Sequence, residues 1–164
     1  MKPKIADIVP PEDWELFKEV KQVIEALPSL LNSPAYLLGT WLPKNVASSH
    51  FIPDCHTVTR ALAEFLPVEV HDGLLVEQRG EEAKRHWHSW LTRKGGDGKV
   101  IIDPWPLGVV SGPALFIQDY AFHFGPEQVP PHVEHPQFKR HLAITRFEIR
   151  KILRAKQQSI KAAA

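Results

Sequence analysis

The run Gly95-Gly96-Asp97-Gly98 constrains the fold of this chain more than any other stretch. Residues 86–93 before it alternate between polar and apolar, and Val100–Asp103 after it is a short apolar run, so both are typical of β-strands. Glycine tolerates the positive φ angles of tight hairpin turns. A phosphate-binding loop is excluded, because no Lys-Ser or Lys-Thr pair follows the glycines. The sequence therefore predicts an antiparallel pair of strands joined by a short turn.

Apolar spacing predicts two helices before this hairpin. The first follows Pro10-Pro11 and ends at Pro28, while the second begins behind Asp54, a favourable capping residue, and ends before Pro67. Their apolar residues recur at intervals of three and four, as on one face of a helix. These residues are Trp14, Phe17, Val20, Ile24 and Leu27 in the first helix and Val58, Ala61, Leu62 and Phe65 in the second.

The remaining segments complete a prediction of class α+β. Val68–Glu77 is a further strand candidate, residues 114–117 form an apolar island, and the chain is helix-prone from about Phe138. We interpret residues 30–53 as loop with one short strand. The predicted fold is an antiparallel sheet of about four strands, packed against the Cys55 helix and flanked by the N- and C-terminal helices.

Length and cysteine content indicate how such a fold is stabilised. The chain has 164 residues and one cysteine, Cys55, so we expect residues 1–164 to form a single domain without an internal disulfide. At this length a chain buries roughly 70% of the surface that it exposes when unfolded. The predicted fold therefore needs neither a disulfide nor a structural metal.

The net charge of +1 is unevenly distributed. Residues 139–164 contain eight of the 20 Lys and Arg residues but only one of the 19 acidic residues, so this basic C-terminal segment carries +7 and the remainder −6. Such a segment could bind nucleic acid or an acidic partner, but a solvated last helix is the favoured interpretation. No apolar run is long enough to span a membrane, and Met1-Lys2-Pro3-Lys4 does not begin a signal peptide, so a cytoplasmic location without membrane partners is expected.

Three residues occur in an order that suits nucleophilic catalysis. Cys55 begins the second helix, His88 lies on a strand, and Asp103 ends the next strand. A helix N-terminus and an imidazolium favour the thiolate, and a carboxylate orients the imidazole. The backbone N–H of Cys55 could supply half of an oxyanion hole. Taken singly, each residue also fits a structural role, as a buried cysteine, a half-buried histidine and a turn-opening aspartate.

The turn position decides whether His88 and Asp103 meet. A two-residue turn at Gly95-Gly96 would place His88 directly opposite Asp103, with Cβ atoms about 5 Å apart. A turn centred on Gly96-Asp97 would leave both side chains on one face, two positions out of register. A three-residue loop would place them on opposite faces.

The segments that contain these residues resemble the core of transglutaminase-like proteins, which belong to the papain-like cysteine hydrolase superfamily. The resemblance covers residues 54–105, a third of the chain, and is strongest at His88-Ser89-Trp90 and Asp103-Pro104. It implies a Cys-headed helix packed on an antiparallel sheet, with Cys55 as nucleophile, His88 as base and Asp103 as the orienting acid.

The sequence departs from the family pattern before the cysteine. Pro53-Asp54 replaces the small residues that often precede it, and no upstream Gln or Tyr stands out as a second oxyanion donor. Asn45, His50 and Trp41 are the candidates for that role.

A metal site is a weaker alternative. His86 and His88 share one strand face and would need a third ligand from His56, Asp54 or Asp103. We favour His86 as a residue that lines the pocket, together with Trp90 and Trp105. No metal and no cofactor is predicted.

These observations predict a cysteine-dependent hydrolase or acyl transferase. It would act on an amide or ester bond of a peptide, protein or small molecule, and water or an amine would resolve the acyl-enzyme. The alternative is a non-catalytic binding protein on the same scaffold, with the basic C-terminal segment as its contact surface.

Overall fold

The computed structural model describes residues 9–27, 54–79, 82–104, 114–117, 123–124 and 128–163. Within them the chain is an α+β protein, as predicted. The elements are α1 (Pro11–Ala26), α2 (Cys55–Ala63), β1 (Val68–Arg79), β2 (Glu82–Arg93), β3 (Val100–Asp103), β4 (Ala114–Ile117), β5 (His123–Phe124), a 3₁₀ helix (Pro131–Glu134) and α3 (Pro136–Ala163).

The described strands form one antiparallel sheet in the order β4-β3-β2-β1-β5. Its centre is the long hairpin of β1 and β2, which pairs continuously from Val68 opposite Arg93 to Arg79 opposite Glu82. Both strands extend further than predicted, because their polar distal ends lack the apolar alternation that marks a half-buried strand. The described residues contribute five strands instead of about four: β4 is the apolar island at residues 114–117, and β5 is too short to leave a pattern. The short strand predicted within residues 30–53 lies outside the described residues.

The glycine run forms the predicted turn between β2 and β3. Gly95 and Gly98 have φ angles of +69° and +73°, in the left-handed region that favours glycine. Leu91 pairs with Ile102, which is the register of a turn centred one residue beyond Gly95-Gly96. The register is not the one that a turn at Gly95-Gly96 would give, in which His88 lies directly opposite Asp103. The register is the alternative in which both side chains share a face, two positions apart.

The core contains residues from all three helices and from the sheet. Val20 and Ile24 of α1, Leu62 of α2, Leu91 of β2 and Ile149 of α3 are all fully buried within it. The face predicted for the first helix is the one that is buried, with Phe17, Val20, Ile24 and Leu27 in the core and Trp14 partly buried against it. α2 packs against α3, β1 and β2, so the helix that begins with Cys55 is held from several sides.

In the described part of the chain no helix combines the length and the apolar character needed to cross a membrane.

Candidate active site

A capping box fixes where α2 begins. The Asp54 carboxylate accepts a hydrogen bond from the Thr57 N–H at 2.8 Å, and the Thr57 hydroxyl oxygen accepts one from the Asp54 N–H at 3.1 Å. Asp54 is thus the cap that the sequence predicted. Cys55 is the first residue of the helix and is 8% exposed. The cap therefore places the thiol at the N-terminus of α2, beneath the surface.

The same cap determines which backbone donors remain at this end of the helix. An α-helix leaves its first N–H groups without internal partners, and the Asp54 side chain takes the one from Thr57. The Cys55 and His56 N–H groups precede it and lie at the positive end of the helix dipole. This end of α2 suits a developing negative charge on an oxygen beside Cys55.

His88 of β2 and Asp103 of β3 form a buried pair. His88 Nε2 lies 2.7 Å from Asp103 Oδ2, and the two side chains are 0% and 1% exposed. Asp103 is the last residue of β3, immediately before Pro104. The carboxylate therefore holds one ring nitrogen of His88 and orients the ring.

The charge of Cys55 and a side-chain hydrogen bond to it also act on the pKa of this imidazole, so the three predicted residues lie together. Burial opposes the charged form of the ring, but the charge of Asp103 and hydrogen bonds to Asp103 and Cys55 outweigh it. Together they raise the pKa of His88 to about 10. His88 is therefore an imidazolium at neutral pH.

Trp90 shields this group on one side. It is 5% exposed and follows His88 by two positions on β2, so the two side chains lie on one face of the strand. Its ring lies nearly parallel to the imidazole, with centroids 6.5 Å apart. His71 of β1 stacks on Trp90 in turn, at 6.1 Å. Exclusion of water by these rings strengthens the electrostatic contact between His88 and its neighbours.

Several predicted site residues fall outside the described residues. Trp41, Asn45, His50 and Trp105 lie outside the described ranges. His86 pairs with Leu75 through its backbone, and its side chain is likewise outside the described part. The second oxyanion donor therefore stays a prediction.

A metal site has no support among the described residues, which contain no group of three His, Cys, Asp or Glu side chains placed to hold an ion. Two of the proposed ligands have other partners. His88 is bonded to Asp103, and His56 Nδ1 lies 2.6 Å from Ser89 Oγ.

Sequence analysis missed the role of Ser89. Its hydroxyl is fully buried and contacts His56, Asp72 and Arg60. The sequence suggests His56 only as a possible metal ligand and indicates no role for Asp72 or Arg60. The one available signal was adjacency, since His56 follows Cys55 and Ser89 follows His88. Finding the group requires the register that places Asp72 opposite Ser89.

Comparisons with models of protein families, with curated proteins and with solved structures find no match to this chain. A thiol at a helix N-terminus, bonded to an imidazole that is itself bonded to a carboxylate, can attack a carbonyl carbon and manage the proton that the leaving group requires.

Proposed function

We propose that this chain is a cysteine-dependent hydrolase or acyl transferase that acts on an amide or ester carbonyl. The observation that carries the proposal is the position of His88 between Cys55 and Asp103, with Nε2 held by the carboxylate at 2.7 Å and the ring fully buried. The ring joins a thiol to a carboxylate, which are the two neighbours that a histidine base in thiol catalysis requires.

The proposed reaction begins with attack by the Cys55 thiolate. A C–S bond forms, and the carbonyl electrons move onto oxygen beside the Cys55 N–H. When the tetrahedral species collapses, the C–N or C–O bond breaks and the His88 imidazolium gives its proton to the departing amine or alcohol. Water or an amine then attacks the acyl-enzyme, loses a proton to His88 and releases the thiolate.

The arrangement also supports the proposed kinship with transglutaminase-like and papain-like enzymes. The Cys-headed helix α2 packs on β1 and β2 of an antiparallel sheet, and the base and the acid lie on the neighbouring strands β2 and β3. This is the arrangement that the resemblance implies. Peptides, proteins and small amides or esters all contain the carbonyl group that the site requires.

Alkylation of Cys55 by iodoacetamide tests the proposal without a known substrate. Because Cys55 is the only cysteine, all label reports on this thiol. The ratio of the rate at about pH 6 to the rate at about pH 9 is independent of how accessible the buried thiol is. We expect a ratio near one for the wild type and a steep fall in His88→Ala, with circular dichroism to verify folding. A wild-type rate that rises only near pH 8.5, as for an ordinary thiol, would overturn the proposal.

The alternative, a binding protein that uses the basic C-terminal segment, is weakened by ion pairing. Within the described residues, Arg146 and Arg150 both pair with Glu64, at 2.6 and 3.5 Å. Lys139, Lys151 and Lys156 also have acidic partners. Five of the eight cations are thus partly neutralised within the chain.

A further inference from the structure

A second buried polar network lies one residue along the chain from the Cys55–His88 contact. His56 Nδ1 lies 2.6 Å from Ser89 Oγ, and the Ser89 hydroxyl donates to Asp72 Oδ1. Arg60 holds both oxygens of Asp72, at 3.1 and 2.6 Å, and reaches Ser89 Oγ at 3.2 Å. We call Arg60, Asp72, Ser89 and His56 the Ser89 network.

The two contacts connect the same pair of elements in parallel. Cys55 and His56 are consecutive on α2, and their partners His88 and Ser89 are consecutive on β2. Successive side chains on a strand point to opposite faces, and successive helix positions differ by about 100° around the axis. The N-terminus of α2 is therefore held to β2 from two directions. A shift of His56 relative to Ser89 would also move Cys55 relative to His88.

Donor and acceptor roles in the network follow from its charged members. A carboxylate only accepts hydrogen bonds and a guanidinium only donates them. Ser89 gives its single proton to Asp72, so its oxygen accepts from Arg60 and from His56 Nδ1–H. Each member has a defined role, and a largely buried network with matched donors and acceptors specifies one geometry.

Burial keeps His56 uncharged at neutral pH. Burial lowers the pKa of His56 to about 4; Asp54 opposes this effect, whereas His132, His88 and Arg60 reinforce it. The network thus holds a neutral imidazole next to Cys55. His88 is left as the cation that contacts the thiol.

We propose that Arg60, Asp72, Ser89 and His56 are positioning residues that hold Cys55 against His88. None of them touches a reacting atom. The inference rests on the proposed function, because a misplacement of about 1 Å at a catalytic pair can cost about 100-fold in rate. An apolar contact between α2 and β2 would fill the same space without fixing the direction of either side chain.

Removal of the central hydroxyl in Ser89→Ala tests the inference. Thr145→Val is the matched control, since Thr145 is 1% exposed and its hydroxyl donates to the His141 carbonyl within α3. We expect Ser89→Ala to lower the alkylation ratio between about pH 6 and pH 9 by about 10-fold or more. Thr145→Val should leave it within about twofold of the wild type. Ultraviolet absorbance, with Cys55→Ser as the blank, measures the fraction of Cys55 that is thiolate at each pH without a reagent.

Variants of His56 separate positioning from stability. In His56→Asn the amide nitrogen occupies about the place of Nδ1 and can donate to Ser89, whereas His56→Leu has no donor. We expect His56→Asn to retain most of the wild-type ratio and His56→Leu to lose it as Ser89→Ala does. A wild-type ratio near one that persists in Ser89→Ala and His56→Leu would overturn the inference and leave the proposed function standing. An ordinary thiol profile in the wild type itself would overturn the proposed function.

Discussion

Asp103 Oδ2 accepts a hydrogen bond from His88 Nε2 at 2.7 Å although the two residues are not direct cross-strand partners. The pairing of Leu91 with Ile102 places Asp103 across from Trp90, so its carboxylate reaches diagonally to His88. Both side chains are buried, and a buried charge is costly unless it is paired. This pair therefore controls the charge of His88.

Asp103→Asn should convert Cys55 into an ordinary thiol. The amide keeps the size of the side chain but removes the negative charge, so burial dominates and the pKa of His88 falls. We expect the alkylation ratio between about pH 6 and pH 9 to drop by about tenfold or more. Asp97→Asn is the matched control, because Asp97 lies in the exposed hairpin turn and should leave the ratio unchanged. Equal ratios in the two variants would contradict this account of the site.

The raised pKa of His88 also predicts how stability changes with pH. The folded state holds the His88 proton up to about pH 10, whereas an unfolded histidine releases it near 6.5. The unfolded state thus binds fewer protons between these values, and the free energy of unfolding decreases as pH rises. The contribution of His88 is fully present below about pH 6.5. This contribution to the free energy of unfolding should fall by a few kcal/mol as pH approaches 10.

Urea denaturation in a Cys55→Ala background measures this effect without titration of the thiol. The comparison is between Cys55→Ala and Cys55→Ala with Asp103→Asn, from about pH 6 to pH 10. The second protein should lose less stability over this range, because its His88 has no carboxylate to retain the proton. Parallel curves would show that the His88–Asp103 pair does not control the proton.

Local patterns were sufficient to predict the elements that hold the candidate site. The cap at Asp54, the apolar face of α2 and the glycines after β2 each act over a few residues, so they can be identified in the sequence. The positions of Cys55, His88 and Asp103 on their elements follow from such signals. The register of β2 and β3 does not, because three turn centres fit the same glycine run.

Long-range pairing explains what the sequence did not indicate. Asp72 and Ser89 meet because β1 and β2 pair over their full length, and Arg60 reaches them from α2. No residue in this network has a distinctive local pattern. Its members are recognisable only after the helix has been placed on the sheet.

The C-terminal helix α3 is part of the folded core as well as a basic surface. Ile149 is fully buried in the core cluster, whereas Ile160 is 60% exposed. We expect Ile149→Ala to lower the free energy of unfolding by about 2–5 kcal/mol and Ile160→Ala to change it by less than about 0.5 kcal/mol. Urea denaturation measures both. Similar values for the two variants would mean that α3 does not pack on the core as described.

The charge of α3 is best tested by substitutions, since truncation would remove the core residue Ile149. Among the described residues, Arg140, Arg154 and Lys161 are exposed and have no ion-pair partner. Three free cations form a weak site for a polyanion, so we expect the wild type to elute from heparin below about 0.15 M salt.

Glu64→Gln frees Arg146 and Arg150 and should delay elution. Glu15→Gln makes the same charge change on α1, where Glu15 pairs with Lys18, and should delay it less. Retention of the wild type well above 0.15 M salt would instead favour the basic segment as a contact surface, because the ion pairs of α3 would then not be masking its charge.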